Sequence, residues 1–66
     1  MTAQIEPVAV SVTEAARLLG VSRPVVYQLL NRSDFPAFKL GNRTLVSVEG
    51  LRAWVRHQSE VLHHAD

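Results

Sequence analysis

The sequence predicts a mainly α-helical domain with a small β-hairpin: three helices, with one two-stranded hairpin between the second and the third. Two stretches with helical spacing of apolar residues are separated only by Gly20, Val21 and Ser22. The dipeptide Gly41-Asn42 lies between two short β-like runs, AFKL and RTLVS, and a third helical pattern follows the second run directly. At 66 residues, the chain has room for one domain with a small core.

The first helix is predicted over residues 12–19. Ser11 and Glu14 have the S-x-x-E spacing of a capping box, in which side chains satisfy the free N–H groups of the first turn. Gly20 can adopt the left-handed conformation that commonly ends a helix. The apolar residues between these signals share one helical face: Val12, Ala15, Leu18 and Leu19.

The second helix is predicted over residues 23–32. Ser22 is a candidate N-cap, and Pro24 falls in the first turn, where its missing N–H costs nothing. A turn of about three residues, with Val21 inserted into the core, then separates the first two helices, which is helix-turn-helix geometry. The inner face of the second helix carries Val26, Leu29 and Leu30, with Val25 at its border.

Two registers are compatible with the sequence of the hairpin. A two-residue Gly-Asn loop pairs Phe38 with Leu45. A three-residue Gly-Asn-Arg loop instead places on one face Phe38, Leu40, Thr44 and Val46. The three-residue loop is favoured because it buries three apolar residues beside the short helices. It also predicts that Leu45 points outward.

The third helix is predicted over residues 48–59, with Ser47 as its N-cap. Gly50 is a weak position in its first turn, because glycine costs roughly 1 kcal/mol against alanine inside a helix. The inner stripe of this helix is predicted to contain Leu51, Trp54, Val55 and Gln58.

The domain itself is predicted over residues 10–59. Residues 1–9 contain Pro7 and no clear period, which indicates a flexible N-terminal arm, and residues 60–66 form a C-terminal tail that either continues the third helix or frays. The chain has no cysteine, which excludes disulfides and thiolate metal sites. It contains neither a run of about 18 apolar residues nor a signal peptide, so we expect a cytoplasmic protein with no membrane contact.

The net charge of +1 conceals an uneven distribution of charge. The middle of the chain carries Arg23, Arg32, Lys39 and Arg43. The acidic residues lie mostly outside it, at Glu6, Glu49, Glu60 and Asp66. A basic centre of this kind favours a polyanionic partner.

The outward face of the second helix suits the major groove of DNA. Gln28 and Asn31 can each make paired hydrogen bonds to adenine, and Arg23 can reach a guanine edge or a phosphate. Tyr27 can donate its hydroxyl to a phosphate or pack on a thymine methyl group. The alternative is an ordinary solvated helix face. The candidate contacts of this helix are Ser22, Arg23, Pro24, Tyr27, Gln28, Asn31 and Arg32.

The hairpin tip carries a second set of candidate contacts: Lys39, Asn42 and Arg43. A two-stranded wing with a basic tip can follow the DNA backbone or enter the minor groove, where the negative potential attracts arginine. The alternative is an ordinary polar turn, since Gly-Asn-Arg is common turn chemistry.

Other motifs support no further site. A continued third helix would place three potential metal ligands on one face: His57, Glu60 and His64. No neighbouring residues support them as ligands, so a polar tail is the better interpretation. Trp54 has the spacing of a core residue. A chain this short has little room for a water-excluding catalytic pocket. We therefore expect no enzyme activity, metal, cofactor or small-molecule ligand.

Residues 11–55 resemble the excisionase-type winged helix-turn-helix family, itself similar to the DNA-binding heads of MerR-type regulators. The matching motifs are EAARLLGVS, the VY and LL pairs of the second helix, FPAFKLG and VSVEGLRAWV. The resemblance implies that Ser22 to Asn31 enters the major groove, and that Lys39 to Arg43 touches the backbone or minor groove. The chain departs from the family pattern at Pro24-Val25, where small polar residues are usual, and at Gly50, where an acidic residue is frequent.

The resemblance implies a sequence-specific double-stranded DNA-binding protein, bacterial or phage-encoded. The first expectation is an excisionase, or recombination directionality factor, that binds and bends attachment-site DNA and directs an integrase toward excision. Cooperative self-association on adjacent DNA sites is expected with it. The alternatives are a small prophage-type transcription regulator with the same DNA-binding mode, and a protein-interaction module.

Overall fold

The computed structural model describes the backbone of residues 7–64 and the side chains of residues 7–61. The predicted fold class is confirmed: the protein is mainly helical, with three helices and a small β wing. In chain order the elements are β1 (Ala9–Ser11), α1 (Val12–Leu19), α2 (Arg23–Leu29), β2 (Ala37–Leu40), β3 (Arg43–Ser47) and α3 (Val48–His64).

Local capping signals determine both ends of α1. The Ser11 side chain accepts a hydrogen bond from the Glu14 N–H at 3.1 Å, as the capping-box spacing predicts. The Glu14 carboxylate instead accepts hydrogen bonds from the Arg17 guanidinium. Gly20 has a φ of 75°, and its N–H bonds to the carbonyls of Ala16 and Arg17. The helix therefore ends at a glycine, which adopts the left-handed conformation at little cost in free energy.

Helix α2 is three residues shorter than the sequence predicts. It ends at Leu29, because the N–H groups of Asn31 and Arg32 bond back three residues, to the Gln28 and Leu29 carbonyls, and tighten the last turn. Val21 was predicted to enter the core, but it is 39% exposed. The tight turn is instead closed through the backbone, by a bond from the Val21 N–H to the Ala16 carbonyl.

Strand β1 is an element that the sequence did not predict. It pairs antiparallel with β3, which is the middle strand of a three-stranded sheet of order β1-β3-β2. Ala9, which the sequence placed in the flexible arm, belongs to this strand, while residues 1–6 lie outside the described part. The residues that align across the sheet on its core face are Val10, Val46 and Ala37.

The favoured hairpin register is wrong for β2. Phe38 pairs with Leu45, and Leu40 with Arg43, which leaves a two-residue loop of Gly41 and Asn42. Strand β3 has the predicted orientation, with Thr44 and Val46 on the core side and Leu45 on the opposite side. Strand β2 has the reverse of the predicted orientation, because it presents Ala37 to the core and leaves the Phe38 side chain 43% exposed. The reason is volume: Phe35, which precedes the strand, is buried and fills the space that the prediction gave to Phe38.

Helix α3 begins at the predicted cap and continues beyond the predicted end. The Ser47 hydroxyl accepts from the Gly50 N–H at 3.0 Å. The helix runs to His64, so the predicted tail is helical through that residue. Leu51 is buried and Trp54 half-buried, whereas Val55 is exposed. The core-facing stripe is therefore narrower than predicted.

A single cluster of buried residues joins the helices to the sheet. It contains Val10, Val12, Ala15, Ala16, Val26, Phe35, Val46 and Leu51. Val26 and Val46 are the largest fully buried side chains in it. The core thus links α2 to the sheet, with α1 packed against both.

Gly50 occupies a position that only glycine fits. A Cβ atom there would lie 2.6 Å from the Pro36 Cβ and 3.2 Å from the Ser47 hydroxyl oxygen. This corrects the interpretation of Gly50 as a weak position, because the missing side chain lets α3 approach Pro36 closely.

Replacing Gly50 by alanine is therefore expected to destabilise the protein. Helix propensity favours alanine by about 1 kcal/mol, but forcing the proline ring aside costs about 1–3 kcal/mol. We expect the free energy of unfolding, measured by urea denaturation, to fall by up to about 2 kcal/mol. In the control, Ala53→Gly at an exposed position of α3 costs about 1 kcal/mol through propensity alone. A Gly50→Ala protein more stable than wild type would contradict the packing argument.

Candidate nucleic-acid interface

The exposed side of α2 lies beside the hairpin. One shallow cleft of about 300 Å³ is lined by Tyr27 of α2 together with Arg43 and Thr44 of β3. A second, also of about 300 Å³, is lined by Leu30, which follows α2, and by Lys39 of β2. The helix predicted to read the major groove and the predicted wing therefore border each other along two clefts.

Residues 22–32 and 39–43 together form what we call the helix–wing surface. Its helical part exposes every predicted contact from Ser22 to Asn31, while Val26 is fully buried beneath them. The exposed side chains are therefore presented by a helix that the core holds in place. The residues concerned are Ser22, Arg23, Pro24, Tyr27, Gln28 and Asn31.

Gln28 and Asn31 stay close together although α2 ends between them. The Asn31 N–H donates to the Gln28 carbonyl at 3.2 Å, which keeps the turn after Leu29 helix-like. Both side chains are exposed. Each amide offers a donor and an acceptor, the combination that pairs with the major-groove edge of adenine.

The wing presents its polar tip to solvent. Lys39, Asn42 and Arg43 are all exposed. Gly41 has a φ of 64°, and no other described residue besides Gly20 has a positive φ. A positive φ at only the first loop residue is the sign pattern of a type II′ turn, in which glycine is favoured at that position.

Three cations of the helix–wing surface have no acidic partner among residues 7–61. The ion pairs found in that range join Arg17 to Glu14 and Arg32 to Asp34. Arg23, Lys39 and Arg43 lie outside these pairs. The positive charge of this surface is therefore available to an anionic ligand.

Arg32 differs from the other predicted contacts because it is tied into the fold. Its guanidinium donates two hydrogen bonds to the Asp34 carboxylate, each of 2.9 Å. It also lies over the Trp54 ring, 5.8 Å from the centroid, and Trp54 meets Phe35 edge to face at 5.1 Å. These contacts connect the segment after α2 to α3, so Arg32 has a structural role whatever it binds.

The pKa of Asp34 is lowered from its ordinary value, mainly by the hydrogen bonds from Arg32. A smaller contribution comes from the indole N–H of Trp54, which lies near the carboxylate without reaching the geometry of a full hydrogen bond. The pKa of Glu14 is lowered in the same way by the hydrogen bond from Arg17.

One further residue near this surface was not predicted from the sequence. Thr13, in the first turn of α1, is exposed and lines the same cleft as Tyr27 and Arg43. Its hydroxyl can donate to a phosphate. Only the pairing of β1 with β3 brings the start of α1 to the wing, and β1 has no clear sequence signal.

Two other features bear on function. Within the described part of the chain, no helix is both long and apolar enough to cross a membrane. No group of three potential metal-ligating residues occurs there either. His57 and Glu60 are exposed, and the side chain of His64 lies outside the description.

Residues 9–59 match the family model of a helix-turn-helix domain. The chain belongs to this family, which includes excisionase-like DNA-binding domains. No curated protein and no solved structure matches the chain. A helix-turn-helix domain indicates a binding protein whose ligand is double-stranded DNA.

Acid is expected to release the contact between Arg32 and Asp34 by protonating the Asp34 carboxylate. Because the folded-state pKa of Asp34 is lowered, its stabilising effect is complete above the unfolded-state value, near 3.8. The effect is lost as the pH falls through the lowered folded-state value. Trp54 is the single tryptophan, so its fluorescence reports this change.

We expect a fluorescence transition with a midpoint below pH 3.8 in the wild type, and its absence in Asp34→Asn. Glu14→Gln, which removes the other paired carboxylate, serves as the control and should retain it. An unchanged transition in Asp34→Asn would contradict the assignment.

Proposed function

We propose that this helix-turn-helix protein binds specific double-stranded DNA sequences, with α2 in the major groove and residues 39–43 on the adjacent backbone or minor groove. The observation that carries the proposal is the continuity of the helix–wing surface. Its exposed amides and its three unpaired cations belong to neighbouring elements held by one core. A duplex requires both features, because phosphate contacts position a protein and base contacts specify the sequence.

Each predicted contact has a distinct role in this arrangement. Gln28 and Asn31 read base edges through paired hydrogen bonds, and Pro24 offers an apolar contact to a thymine methyl group. Arg23 contacts a guanine edge or a phosphate. Ser22 and Tyr27 donate hydrogen bonds from their hydroxyl groups to the DNA backbone. Arg32 neutralises phosphate less than an unpaired arginine would, because Asp34 already offsets part of its charge.

The wing strengthens binding to DNA of any sequence. Lys39 and Arg43 neutralise phosphates, and Asn42 donates hydrogen bonds at the turn. Counterions released from those phosphates make the affinity depend on salt concentration. The wing therefore supplies affinity and orientation, and α2 supplies the choice of sequence.

A protein of this size needs help to select a site. A single DNA-binding module buries only about 600–1,000 Å² against DNA. We therefore propose cooperative binding of several copies to adjacent sites, together with a larger partner, an integrase or related recombinase. This is the behaviour of an excisionase, which acts in the cytoplasm on bacterial or phage DNA and directs recombination toward excision of a mobile element.

The position of the bound sites distinguishes this role from transcription regulation. The purified protein is used to recover fragments of the genome that encodes it, at about physiological salt. Repeats clustered beside an integrase gene or an attachment site support the directionality factor. A site overlapping a promoter favours the regulator, and recovery no better than that of bulk DNA contradicts DNA binding and favours a protein-interaction module.

Arg43→Ala is expected to weaken binding to all duplexes alike. Removing one phosphate contact should lower the slope of log affinity against log salt concentration by about one. The control is Arg56→Ala, which removes the same charge from an exposed position on α3. Binding is measured by fluorescence anisotropy over a salt series. Equal slopes for Arg43→Ala and wild type would remove the wing from the interface.

Gln28→Ala is expected to relax the preference at one base pair. The loss of one bidentate contact should reduce discrimination there by about 1–3 kcal/mol, with little change at other positions. Competition between singly substituted duplexes measures this preference. Gln58→Ala, on α3, is the matched control and should leave every preference intact. A Gln28→Ala protein with the wild-type profile would exclude Gln28 from base readout.

A further inference from the structure

The hairpin has an inverted distribution of apolar side chains near its tip. A sheet with one solvated face normally places apolar residues on the core side and polar residues outside. Here Lys39 and Thr44 lie on the same face as the core residues Ala37 and Val46. Leu40 and Phe38 lie on the opposite face and are 65% and 43% exposed.

Leu40 is the most exposed member of this apolar face. It is the last residue of β2 and pairs directly with Arg43 across the two-residue turn. The turn is exposed, and a Cβ atom built on Gly41 would meet nothing within 4 Å. The side chain of Leu40 is therefore exposed next to the turn, beside an arginine that has no acidic partner among residues 7–61.

Burial cannot explain this placement. The alternative register would have turned Leu40 inward; in the observed register Leu40 is exposed, and Phe35, which precedes β2, is the buried aromatic residue of this segment. Positions where local patterning fails in an otherwise consistent fold are often functional. An apolar side chain beside a cation fits a ligand that is anionic outside and apolar inside, which describes the stacked bases behind the phosphates of a duplex.

We infer that Leu40 is an apolar wedge that enters the minor groove beside Arg43 and partly unstacks one base step. The inference rests on the proposed binding of DNA by the wing. Arg43 is drawn to the negative potential of the groove, and its cross-strand partner Leu40 arrives with it. Insertion of leucine between bases kinks a duplex toward the major groove. The bend then comes from the wing, while α2 reads the sequence.

The test measures bending and unstacking separately from affinity. Duplexes recovered by the wild-type protein are labelled at both ends for energy transfer, and 2-aminopurine replaces adenine at successive positions of the site. We expect the wild type to bend the duplex by roughly 20–90° and to raise the fluorescence of 2-aminopurine at one step. Leu40→Ala should lose both signals while its affinity stays within about threefold and its salt slope is unchanged, because the phosphate contacts remain.

Matched variants separate the wedge from general effects. Leu40→Met keeps a long apolar side chain and should retain the bend. Leu18→Ala, at a leucine of α1 that is 51% exposed, makes the same chemical change away from the wing and should bend DNA as the wild type does. Circular dichroism checks that each variant is folded.

The outcomes distinguish this inference from the proposed function. Wild-type protein that binds no duplex overturns both. Binding without unstacking, or a bend retained by Leu40→Ala, overturns only the wedge. If Leu40→Ala instead reduces cooperativity between copies and leaves the bend intact, the apolar face is a contact between proteins, and the wedge is excluded.

Discussion

The shared burial of Val26 and Val46 is the constraint on which the rest of the structure depends. One residue comes from α2 and the other from the middle strand of the sheet, and both are fully buried in one small core. Helix α2 packs against α1, and α1 packs against β3, so the shared core links the exposed face of α2 to the wing. A DNA-binding surface made of two elements requires that relation, since base and phosphate contacts must form together.

The segment between α2 and the hairpin is held in place by contacts with α3. Arg32 bonds to Asp34 and lies over Trp54, while Phe35 meets the same ring edge to face. Gly50 allows α3 to approach Pro36 within a distance that no side chain permits. Helix α3 thus packs against the segment that leads into β2.

The polar and apolar parts of the helix–wing surface have different consequences for binding. The exposed amides, and the cations without an acidic partner among residues 7–61, fit the outside of a duplex. The exposed Leu40 fits its interior, and it is the feature that patterning rules would have buried. In the proposed complex, deformation of the duplex would add selectivity that the few direct contacts of a small protein cannot supply.

The sequence alone determined the elements whose signals are local. The caps at Ser11 and Ser47, the left-handed Gly20 and Pro24 in a first turn each act within a few residues, so α1, the turn and the starts of α2 and α3 could be predicted. The exposure of the predicted contacts on α2 could likewise be read from the sequence, because amphipathic spacing separates the outer from the inner face of a helix, whereas the face of β2 that carries Lys39 could not.

Only the tertiary structure decided the register of β2, the pairing of β1, the early end of α2 and the role of Gly50. Most of these features depend on packing and pairing in the assembled fold: Phe35 rather than Phe38 is buried in the core, β1 pairs with β3, and Pro36 excludes a side chain at position 50. Packing volume and strand partners are properties of the assembled core, and a local pattern cannot report them.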